Sequence, residues 1–76
     1  MTVITEVIWA AEHKDQPAVV QRGNDLQSLQ TAPAVITTDP ATQNLSVVRH
    51  WVDMPAADSW IEFVSAYSPA SASIIT

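Results

Sequence analysis

His13 and His50 are the only imidazoles in a chain of 76 residues, and eight carboxylates accompany them: Glu6, Glu12, Asp15, Asp25, Asp39, Asp53, Asp58 and Glu62. Proton transfer near neutral pH falls to these groups, since histidine titrates there unperturbed and a carboxylate does so only in a special environment. His50 stands in the run Arg49-His50-Trp51-Val52-Asp53. Extended alternation groups its ring with Val48 and Val52 and sets Arg49, Trp51 and Asp53 on the opposite side. Nothing in that pattern fixes the tautomer of His50, so a partly buried imidazole satisfied by a neighbour is the plainer reading. Glu6 interrupts an apolar run from Thr2 to Ala11, where a carboxylate either faces solvent from an uncovered sheet or pairs with Arg49 or a histidine. His50 and Glu6 are therefore the two candidates for acid-base chemistry, with no catalytic set expected around them.

Other chemistries find less support. Neither histidine has a second His or Cys at a metal-binding spacing, and cysteine is absent. With Gly23 as the only glycine, a glycine-rich phosphate loop is excluded. The serines lie outside any nucleophile-elbow pattern. Asp39 and Asp53 read as turn and helix-cap residues, and Asp58 and Glu62, four apart, as a solvated helix face. The expectation is a protein without metal or cofactor.

Trp9, Trp51 and Trp60 are a high density of indoles for so short a chain. Trp60 falls on the apolar arc of a helix and belongs in a helix-sheet core. Trp9 and Trp51 fall on strands. If those strands are neighbours, both indoles project from the open sheet face, with Val7 and Arg49 near them, as a dimer interface or as the wall of a pocket. The absence of a catalytic set favours the interface.

Lys14, Arg22 and Arg49 are the only basic side chains, and the net charge is −5. No cationic stripe is present to neutralise phosphates, which disfavours nucleic acid and anionic membranes as partners. Charged residues make up 14% of the chain, against about 25% in globular domains, so neighbouring copies repel one another weakly. Without disulfides or a zinc cluster, a single small domain spanning residues 1–76 gains most from self-association. No apolar stretch approaches the ~20 residues of a membrane span. The N-terminus lacks a basic region, and Glu6 and Glu12 interrupt its apolar segment, so a cytoplasmic protein is expected.

The elements that must position these residues follow from periodicity. Residues 2–11 alternate with Val3, Val7 and Trp9 on one parity and Ile4 and Ile8 on the other, which predicts a central strand or, as the preferred reading, a sheet whose second face another subunit covers. Pro17 and Gly23 break the next segment, and a short helix is expected at about 24–32, capped by Asn24 and ended by Pro33. Residues 34–38 and 45–52 read as an antiparallel hairpin around the turn 39–44. The periodicity predicts a helix over about 54–67, with Pro55 in its first turn and Ala56, Ala57, Trp60, Ile61, Phe63, Val64 and Tyr67 on one arc. A short strand over 70–76 follows.

This order predicts an α+β fold of the ferredoxin-like, split βαβ type: a four-stranded antiparallel sheet with one strong helix, about 54–67, and one weak helix, about 24–32. In element order, overall length and the strand-helix-strand run from Val47 to Ile75, the chain resembles the protomers of dimeric α/β-barrel proteins such as the antibiotic-biosynthesis-monooxygenase-like group. The resemblance implies that two open sheet faces close on each other. Function is then expected to be that of a small non-enzymatic homo-oligomeric module, with itself or another protein as partner. The alternative is a cofactor-free oxygenase or isomerase of the dimeric-barrel type, or a binder of small hydrophobic ligands, with a cavity between helices and sheet near His50, Trp51 or Glu6. A cavity of about 300 Å³ or more with a histidine or carboxylate in its wall favours the alternative, whereas a filled interior favours the module.

Overall fold

The computed structural model describes residues 2–14 and 16–75. Asp15, among the carboxylates, and Thr76, at the end of the expected last strand, lie outside them. The regular elements are β1 (Val3–Trp9), α1 (Pro17–Asp25), β2 (Val35–Thr38), β3 (Leu45–Trp51), α2 (Met54–Ser65) and β4 (Ser71–Ile74), with single 3-10 turns at Ala11–His13 and Gln27–Leu29. They form an α+β structure with one four-stranded antiparallel sheet, in the order β2-β3-β1-β4, and two helices. Among the described residues no helix is long and apolar enough to cross a membrane.

The two-sided apolar pattern of β1 is that of a central strand. It pairs with β3 from Val3↔Trp51 to Trp9↔Leu45 and with β4 from Thr5↔Ile74 to Ile8↔Ser71. Val3, Thr5, Val7 and Trp9 are buried toward the helices, whereas Ile4, Glu6 and Ile8 are half-buried on the other face. The hairpin forms as its turn chemistry directs. Asp39 Oδ1 accepts the amides of Ala41 at 2.8 Å and Thr42 at 3.4 Å, and Gln43 takes the left-handed conformation that closes the loop.

α2 starts where expected because Asp53 caps it, its Oδ1 accepting the Ala56 amide at 3.0 Å, with Pro55 in the first turn. It ends at Ser65, two residues short of the expected boundary, as Ala66 and Tyr67 close a turn on Phe63 and Val64. Ala56, Ala57, Trp60 and Val64 are buried against Val3, Val7, Trp9, Val47 and Trp51 of the sheet. Trp51 and Trp60 meet with ring centroids 5.6 Å apart. The indole N–H of Trp51 is satisfied by Thr5 Oγ1 at 2.9 Å, and Thr5 is the one buried polar side chain among the described residues.

Two expectations are corrected. The first helix lies at Pro17–Asp25 rather than 24–32. Pro17 does not break it but opens it, occupying a first-turn position whose amide has no helical partner. Asn24 and Asp25 thus end the helix that Asn24 was expected to cap. Val19 and Gly23, four apart, form its inner face. The second correction concerns Trp9 and Trp51: they do not project from the open face. Both are buried under the helices, because the parity they share with Val3 and Val7 is the covered one.

Candidate functional site

α1 touches the sheet through little more than Val19 and Gly23, its only buried residues. The gap that remains between α1, residues 30–34 and the sheet is a cleft of about 580 Å³. Val7 and Trp9 of β1, Val47 of β3, Val19 of α1 and Trp60 of α2 make its apolar wall. Lys14 and the amides of Gln16, Asn24, Gln27 and Gln30 stand among its polar lining.

Arg49 is the charged group that the sheet contributes to the cleft. Strand alternation turns it to the same side as Val47 and Trp51, beneath α1. Its guanidinium carbon lies 4.9 Å from the Trp60 ring centroid, in cation-π contact. Nη1 donates to Gln30 Oε1 at 2.9 Å. Gln30 is itself held, its Nε2 donating to the carbonyls of Gly23 at 3.0 Å and Leu26 at 3.3 Å, and its backbone bridges to Trp51. Nε of Arg49 is buried with no partner, as is Nε1 of Trp60. Among the described residues no carboxylate pairs with Arg49. Desolvation by burial accordingly lowers its pKa, disfavouring the charged form.

Gly23 makes this placement possible. A Cβ at that position would come within 2.5 Å of Arg49 Nη2 and 2.9 Å of its guanidinium carbon. Only glycine lets the helix pass so close over the guanidinium. A second guanidinium, that of Arg22, sits 5.3 Å from the Phe63 centroid and links α1 to α2 along the row Trp60, Phe63, Tyr67.

The site residues expected from sequence divide between the two faces of the sheet. Val7, Trp9 and Arg49 line the cleft. Trp51 lies under Trp60 and is fully buried. His50 and Glu6 are on the opposite face, His50 across from Ile4 and Glu6 across from Val48, so neither stands near the cavity as the enzyme alternative required. Glu6 Oε2 accepts a hydrogen bond from Ser46 Oγ at 3.0 Å, while Nδ1 of His50 is buried without a partner. No histidine or carboxylate lines the cleft among the described residues, and no group of three His, Cys, Asp or Glu able to hold a metal occurs among them. The arrangement offers hydrogen bonds, an aromatic wall and positive charge.

Sequence reasoning missed Gly23, Gln30 and Trp60 as parts of this site. A sign was present in the only glycine of the chain lying upstream of an arginine whose parity points inward. Comparison with protein-family models, with curated proteins and with solved structures finds no significant match.

Proposed function

We propose that this protein binds a small, largely apolar molecule in the cleft between α1 and the sheet, and holds it without transforming it. The observation that carries this reading is the cleft itself. Its volume of about 580 Å³ lies within the roughly 300–1,000 Å³ of ligand sites, and an apolar wall with a few convergent polar groups is their usual composition. Among the described residues the lining supplies donors but no histidine or carboxylate to act as general base, which favours binding over catalysis. We read the architecture as ferredoxin-like. The order β2-β3-β1-β4 supports this, as does the pairing that sets β3 between β1 and β2, and β1 between β3 and β4.

Calorimetric titration with a neutral naphthalene probe, 2-naphthamide, tests the cleft. One saturable site per chain is expected, and Ala34→Phe, which fills the cleft from the segment before β2, should weaken it at least tenfold. Absence of saturable binding overturns the reading.

A second reading concerns the other sheet face, where Ile4, Ile8 and Val48 are half-buried and Val35 of the edge strand is exposed. Among the described residues no element covers them, and a second copy placed face to face would bury them. Sedimentation at micromolar concentration is expected to show a dimer, and Ile8→Lys a shift to monomer. An 8.2 kDa species for the unmodified chain at that concentration would exclude this assembly.

A further inference from the structure

Resting on the ligand-binding reading, we infer that the molecule taken up by the cleft is a monocarboxylate, its anionic head held by Arg49 and its apolar body lying along the more exposed lining residues Val20, Ala34 and Ile36. The inference begins from a mismatch. A guanidinium carried partly out of water is stabilised by a counter-charge. Arg49 is half-buried, its Nε is buried with no acceptor, its Nη1 donates to the neutral amide oxygen of Gln30, and no carboxylate among the described residues pairs with it. The positive charge is held in place all the same. Trp60 stacks on one side at 4.9 Å, Gly23 passes over it, and Gln30 is itself tied to the carbonyls of Gly23 and Leu26.

A cation fixed in an apolar wall and lacking an anion is preorganised for one. The forked, planar guanidinium matches a carboxylate in shape as well as charge, and the pair strengthens as water is excluded. Lys14 is the other cation of the lining, and its ammonium on a flexible stem adds long-range attraction without the fork. A single fixed guanidinium in a predominantly apolar wall fits a singly charged head on a hydrophobic body.

Calorimetric titration of the full chain with 2-naphthoate and with 2-naphthamide tests this directly, because the two probes share the naphthalene body and differ only in the head, an anionic carboxylate against a neutral amide. The acid is expected to bind at least tenfold more tightly than the amide, and the preference to narrow as salt is raised. In Arg49→Gln the preference should fall to within about twofold of unity, while Glu62→Gln, an exposed change on α2, keeps it. Arg49→Lys retains the charge without the fork and should hold an intermediate preference, providing a second variant should Arg49→Gln not fold. Equal binding of the two probes to the unmodified chain overturns the carboxylate inference and leaves the cleft a binder of neutral ligands. Failure of both probes to bind overturns the two together. A preference that survives in Arg49→Gln and vanishes in Lys14→Gln refutes the assignment to Arg49.

Discussion

Trp60→Ala is expected to lower the unfolding free energy by about 3–5 kcal/mol, the range for truncating a large aromatic in a core. The side chain is 2% exposed. It lies between Trp51, at 5.6 Å, and Phe63, at 5.9 Å, and carries the Arg49 guanidinium on its face. Truncation removes the helix side of the core where α2 meets the sheet and strips Arg49 of its stacking partner. A domain of this size has roughly 4–11 kcal/mol of stability in all, at about 0.05–0.15 kcal/mol per residue, so the loss takes a large share of it. Urea unfolding followed by far-ultraviolet circular dichroism measures the change without relying on tryptophan emission. Trp60→Phe should cost clearly less, since it keeps an aromatic on α2 and removes an indole N–H that is buried without an acceptor. Asp58→Ala, at an exposed position, should change stability by only a few tenths of a kcal/mol as it relieves repulsion from Glu62. If Asp58 proved the costlier of the two alanine substitutions, α2 would face the sheet differently.

Gly23→Ala is expected to leave the fold intact and to remove the preference for a carboxylate. Alanine in a helix interior is favoured over glycine by about 1 kcal/mol. Against that gain, the added methyl would meet the end of the Arg49 side chain at 2.5 Å from Nη2 and 3.3 Å from Nη1. Those atoms terminate a flexible side chain, which yields before the backbone does. Arg49 then swings out of the wall, losing the Gln30 bond, worth about 1.5–3 kcal/mol for a charged group, and part of its contact with Trp60. The opposing terms leave a net stability change of no more than about 2 kcal/mol in either direction. Affinity for 2-naphthoate is expected to fall at least tenfold toward that of 2-naphthamide, with the circular dichroism spectrum unchanged. A Gly23→Ala protein that still prefers the acid as strongly as the unmodified chain would show that the guanidinium is not held in place by the missing Cβ. Stability and binding part company here because the helix gains from the methyl group while the site beneath it loses.

What can be read along the chain is what neighbouring residues determine among themselves. The Asp53 cap, Pro55 and the arc from Ala56 to Val64 specify α2 within a dozen positions, and Asp39 with Pro40 specifies the hairpin turn. Strand parity likewise grouped Val3, Val7 and Trp9 together and Arg49 with Trp51, both groupings being properties of extended backbone alone. Pro17 was ambiguous for the same local reason, since a proline that opens a helix and one that breaks a helix look alike until the following residues find partners.

Which side of the sheet each parity occupies is not a local property. Trp9 and Trp51 are inside because α2 brings Trp60 onto that face, and His50 and Glu6 stand apart from the cleft because they have the other parity. The meeting of Gly23 with Arg49, twenty-six positions later in sequence, depends on α1 crossing over β3 with only Val19 and Gly23 turned inward. Sequence alone determined the strands, α2, the order of the elements and which residues share a face, though not the bounds of α1, because hydrogen bonding and steric restriction act over a few residues. The tertiary structure alone decided which face is covered and that a cleft remains whose guanidinium has no carboxylate partner among the described residues, because burial is shared among segments distant in the chain.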